Sequence, residues 1–98
     1  MSWTLRIRPR ARLEILEAAG WYAEQGSRVA GNFTKALDAT LQRVRENPLQ
    51  YQVVHGELRR AGLNRFPYAV IYVVSDREVI ILGCVHGHRD PRGWQHRR

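Results

Sequence analysis

Ninety-eight residues, 44% hydrophobic and 26% charged, suit one small globular domain (residues 1–98) and leave no room for a second core. Sixteen Lys plus Arg against nine Asp plus Glu give a net charge of +7, carried almost wholly by arginine, since Lys35 is the only lysine. This make-up excludes disorder as the main state, and no apolar run approaches the roughly 20 residues of a membrane span.

The start, MSWTLRIRPRAR, has no apolar segment before a small-residue cleavage site, so no signal peptide is expected. One cysteine, Cys84, cannot form an internal disulfide. Its apolar setting fits a core thiol in a reducing cytoplasm rather than a nucleophile. The positive charge fits an anionic partner such as nucleic acid, an acidic protein segment or a membrane surface. It equally fits a genome that favours arginine codons.

In chain order, Trp3 to Arg8 alternates apolar and polar residues and reads as a short strand, stopped by Pro9. From Ala11 the spacing becomes helical, with Ala11, Ile15, Ala18, Ala19 and Tyr22 on one stripe, and Glu14 and Glu17 off it. Gly26 is expected to stop that helix in the left-handed conformation, and Ser27 to cap the next. Val29, Ala30, Phe33, Leu37, Leu41 and Val44 carry the second helix to Asn47-Pro48. Gly20 and Gly31 lie inside the two helices, where they weaken the helix or permit a close approach.

Leu49 to Gly56 shows no period and reads as a loop. Leu58 to Phe66 reads as a strand with Gly62 as a candidate bulge. Residues 68–74, YAVIYVV, and 79–85, VIILGCV, read as two buried strands around the polar turn 75–78. The basic end, HGHRDPRGWQHRR, reads as a tail or loop. The fold class is therefore α+β: an N-terminal strand, an antiparallel helical hairpin and a three-stranded antiparallel meander in one small sheet.

No metal signature, Gly-rich phosphate loop or nucleophile elbow is present, so no cofactor is expected. The richest cluster is His86, His88, Arg89, Arg92 and Trp94, just after a buried strand. Histidine exchanges protons near neutrality and arginine holds phosphate or carboxylate. Trp94 either stacks on a base or tucks into the domain and pins the tail. Arg59, Arg60 and Arg65 add charge on a neighbouring strand. Such parts suit an RNA-cleaving site or an electrostatic docking surface.

The chain resembles the RelE/ParE superfamily of toxins from type II toxin–antitoxin modules, most closely its ParE branch. The resemblance rests on Arg65-Phe66-Pro67-Tyr68 leading into Val70-Ile71-Tyr72, and on Val85-His86-Gly87-His88-Arg89-Asp90-Pro91 followed by Trp94. The helical half matches through residues such as Tyr22, Phe33, Leu37 and Asn47-Pro48. The resemblance implies a cytoplasmic toxin held by a ParD-like antitoxin, whose ribbon-helix-helix half binds DNA and whose flexible half wraps the toxin. ParE-like chains poison DNA gyrase by binding, whereas RelE-like chains cut mRNA in the ribosome with basic residues on the central strands. The matching strand positions here are Arg60, Gly62 and Ala69, so only one charge is kept.

Three functions follow from the resemblance: a gyrase-binding toxin without catalysis, a ribosome-dependent endoribonuclease, or an inactive toxin fold kept as a partner or co-repressor. The second would use His88 as general acid or base, Arg89 and Arg65 as phosphate holders and Trp94 as a stacking group. Target or partner binding would draw on Arg59, Arg60, Arg65, His86, His88, Arg89 and Trp94.

Overall fold

The computed structural model describes residues 3–97; Met1, Ser2 and Arg98, the ends of the expected 1–98 domain, lie outside the described residues. Strand β1 (Thr4–Ile7) leads into helix α1 (Pro9–Gln25), with Pro9 in the first helical turn, where its missing N–H costs nothing. Gly26 separates α1 from α2 (Ser27–Glu46). Its φ of 148° and ψ of 150° belong to a region open essentially only to glycine. The expected left-handed stop is thus replaced by a more extended turn, in which the Gly26 N–H still reaches the carbonyls of Tyr22 and Ala23. Gly26, not Ser27, is the N-cap of α2, and no side chain caps that end.

After a short 3-10 turn (Pro48–Gln50) come β2 (Val53–His55), β3 (Leu58–Gly62), β4 (Tyr68–Ser75) and β5 (Glu78–His86), and a second 3-10 turn spans Pro91–Gly93. The five strands form one sheet in the order β1-β5-β4-β3-β2, with β1 parallel to β5 and the other pairs antiparallel. The expected three-stranded meander is therefore corrected to four strands. The added strand, β2, is three residues long and exposed throughout, so it carries no alternation to read. β3 keeps an unbroken register with β4 through Gly62, and the bulge lies instead in β5 at Leu82, between the pairs Ile71–Gly83 and Tyr72–Ile81. Gly20 and Gly31 face open space and serve no close approach. None of the described helices is long and apolar enough to cross a membrane.

Strand alternation divides the core into two layers. Val70, Tyr72, Val79, Ile81 and Ala61 face the helical hairpin and meet Ala11, Ala18, Tyr22, Phe33, Leu37 and Val44. Phe66 and Tyr68 join Tyr22 and Phe33 in a ring cluster with centroids 5.0 to 6.1 Å apart. On the other face Leu58, Ile71, Val73, Ile80, Leu82 and Val85 are covered by Trp94. The segment read as a tail is thus part of the fold.

The β4–β5 hairpin turns through Asp76 and Arg77, at φ of 47° and 63°. Two successive positive φ angles define a turn that favours glycine, and a side chain there costs about 1 kcal/mol. Arg77→Gly is expected to raise the melting temperature by about 4–8 °C in calorimetry, given the size of the domain. A melting temperature that stays level or falls would contradict this account of the turn.

Candidate functional site

Strand β5 outlasts its neighbour. β1 pairs with it only from Glu78 to Ile81, with one further bond from the Arg8 N–H to the Ile81 carbonyl. Beyond that point the backbone of β5 has an open edge, whose donors and acceptors need other partners. The Glu14 carboxylate, on α1, accepts the Cys84 N–H at 3.0 Å. Arg97 then closes over both: it grips Glu14 with two bonds, at 2.8 and 2.9 Å, and reaches the Leu82 carbonyl at 3.4 Å. Arg89 adds a fourth bond to the carboxylate, at 2.9 Å.

Glu14 and Arg97 side chains are only 10% and 11% exposed. Burial alone would push the Glu14 carboxyl up. The hydrogen bonds from Arg97 and Cys84 and the charges of Arg97 and Arg89 outweigh it and hold the group below its ordinary value of 4.5. Gly83 makes the approach possible, because a Cβ there would overlap the Arg97 guanidinium. Burial pushes the Cys84 thiol up to about 12, so it stays protonated, as a core thiol does.

The clasp fixes the path of residues 86–97 across the sheet. Between them and β3 lies a cleft of about 270 Å³, lined by Arg60, Val85, His86, Arg89, Trp94 and neighbouring residues. Trp94 is 7% exposed and belongs to the core layer, so it pins the tail and forms one wall. The His86 ring packs edge-on against Tyr68 at 5.2 Å and lies 5.3 Å from the His88 ring. The His88 N–H donates to His86 Nδ1. Arg60 shares its face of the sheet with Gly62 and Ala69, which sit directly opposite each other on β3 and β4. Among the described residues, no group of three or more His, Cys, Asp or Glu side chains could hold a metal ion.

Comparison with known proteins agrees with this architecture. The family described as "ParE toxin of type II toxin-antitoxin system, parDE" matches residues 5–91. The chain belongs to the ParE toxin family. A solved structure titled "Chromosomal ParDE TA system from P. aeruginosa" superposes with a TM-score of 0.76 at 16% identity, covering 87% of this chain and 96% of that one. That likeness speaks for the fold. No curated protein matches at the level of sequence.

Within this ParE-family fold the predicted site residues separate. Arg60, His86, Arg89 and Trp94 line the tail cleft, while His88 stands exposed beside it. Arg59 points to the opposite face from Arg60, and its guanidinium donates to the Leu49 and Tyr51 carbonyls, tying the loop after α2 to the sheet. Arg65 lines a different groove, against α2. Glu14 and Arg97 were not foreseen. The expectation that Glu14 lies off the apolar stripe of α1 is corrected: three residues after Ala11 and four before Ala18, it shares their buried face, and that spacing was the signal for it.

Removing Glu14 leaves Arg97 buried without its anion, which costs about 3–5 kcal/mol. Glu14→Ala is expected to lose that much stability in urea titrations near neutral pH. Because the folded carboxyl lies below 4.5, its contribution is present above pH 4.5 and fades as pH falls through the folded value. Glu14→Gln should flatten that acid limb, and an unchanged limb would show that Glu14 is not its source.

Proposed function

We propose that this chain is the toxin of a type II module, neutralised by a ParD-like antitoxin in the cytoplasm, and that it arrests growth by binding DNA gyrase without cutting RNA. Family membership supports the toxin and its antitoxin. One observation favours binding over cleavage: the three candidate catalytic groups do not converge. Arg65 lines a separate groove, Arg89 is held by Glu14 in an ion pair of 2.9 Å, and His88 stands outside the cleft. The strand positions that would carry further cations on the cleft face are Gly62 and Ala69. What the cleft offers is the Arg60 charge and the Glu14-paired Arg89 beside an apolar wall of Val85 and Trp94, a surface suited to docking on a protein.

The His86–His88 pair is the feature that would serve the second reading, ribosome-dependent cleavage of mRNA. The two are told apart by inducing the toxin with and without antitoxin while following the DNA-damage response and mRNA integrity. Gyrase binding predicts damage with intact mRNA, toxicity kept in His88→Ala, and about tenfold or more weaker inhibition of purified gyrase by Arg60→Glu. Site-specific mRNA cleavage that disappears in His88→Ala would replace this function with the nuclease.

A further inference from the structure

The helix-covered face of the molecule carries a second basic feature. A groove of about 380 Å³ runs between α2 and the loop from β3 to β4. Lys35 and Arg43 on α2 and Arg65 on the loop supply its charge, and Ala36, Ala39 and Phe66 its apolar lining. The α2 residues meet there because positions three and four apart share a helix face. None of the three cations has an acidic partner among the described residues, whose ion pairs use Arg6, Arg89, Arg92 and Arg97. Arg43 reaches only neutral hydroxyls, of Thr40 at 3.2 Å and Tyr51 at 3.4 Å. Arg65 holds a φ of 69°, a conformation in which folding alone favours glycine.

We propose that this groove docks an acidic segment with apolar anchors from the neutralising antitoxin, an inference that rests on the antitoxin reading above. Charge complementarity selects the occupant. A nucleic-acid backbone would meet the cations but leave Ala36, Ala39 and Phe66 uncovered, whereas an acidic segment with apolar side chains satisfies both. The tail cleft opens on the other face of the sheet, under Trp94. A segment seated in the groove therefore anchors the antitoxin without itself filling the cleft, which is masked only when the partner chain continues around the molecule.

The test titrates the full-length toxin with a ParD-type antitoxin by calorimetry at low and moderate salt, using Lys35→Glu and Arg65→Glu singly. Both side chains are exposed, and Lys35→Glu keeps the test open if the strained loop position fails to fold. Each variant is expected to weaken binding about tenfold or more and to shrink its salt dependence, while Arg12→Glu on α1 leaves it near the wild-type value. Wild-type affinity in both folded variants overturns the groove and leaves the antitoxin reading standing. No binding by the wild-type toxin overturns both together. A labelled DNA duplex is titrated in parallel: duplex binding lost in the two variants, with antitoxin binding intact, assigns the groove to nucleic acid and overturns the proposal.

Discussion

The open edge of β5 is the constraint on which the rest of the structure depends. A parallel neighbour of only four residues leaves the second half of a nine-residue strand without a partner on that side. An exposed edge with unpaired backbone groups invites unwanted pairing. This chain closes it with side chains: a carboxylate from α1 takes the Cys84 N–H, and an arginine from the chain's end takes the carboxylate and the Leu82 carbonyl. The closure also fixes residues 86–97 as a covering layer, with Trp94 over the apolar face that Ile71, Val73, Ile80 and Leu82 would otherwise present to water.

The two faces of the sheet then acquire different characters from one alternation. Arg59 and Arg60 are adjacent in sequence and point to opposite sides. Arg59 straps the loop after α2 through the Leu49 and Tyr51 carbonyls. The Tyr72 hydroxyl fastens the same loop through the Pro48 carbonyl, its proton held by burial that pushes the group up to about 12. Arg60 faces the tail and, with Arg89, gives the cleft its charge. The ring cluster of Tyr22, Phe33, Phe66 and Tyr68 joins the motif after β3 to the helical hairpin and holds the Arg65 loop beside α2. One side of the molecule is thus shaped by the tail clasp and the other by aromatic packing.

Much of this was legible in the sequence because it follows from period alone. The helical stripes of α1 and α2 and the β-branched runs of β4 and β5 are long and strongly patterned. Pro9, Gly26 and Pro48 punctuate them at or beside their ends. β2 escaped because three exposed residues cannot show a pattern, and the bulge at Leu82 escaped because it depends on the register of a partner strand. The tail cluster was recognised by composition, but its members differ in what they touch. Trp94 is core, Arg89 is paired with Glu14 and His88 is exposed. Arg89 is paired across 75 positions and Trp94 is buried against strands that begin at Leu58, contacts that spacing within one element cannot reveal.

Amide hydrogen exchange of the free toxin tests the clasp most directly. If Glu14 and Arg97 close the β5 edge and hold the tail, the Cys84 amide should exchange as slowly as the paired amides of β4 and β5. The Trp94 and Arg97 amides, which donate to the Pro91 and Trp94 carbonyls, should be protected as well. Cys84 and tail amides that exchange at the rate of an unfolded chain, while β4 stays protected, would contradict the account and with it the cleft that the tail defines.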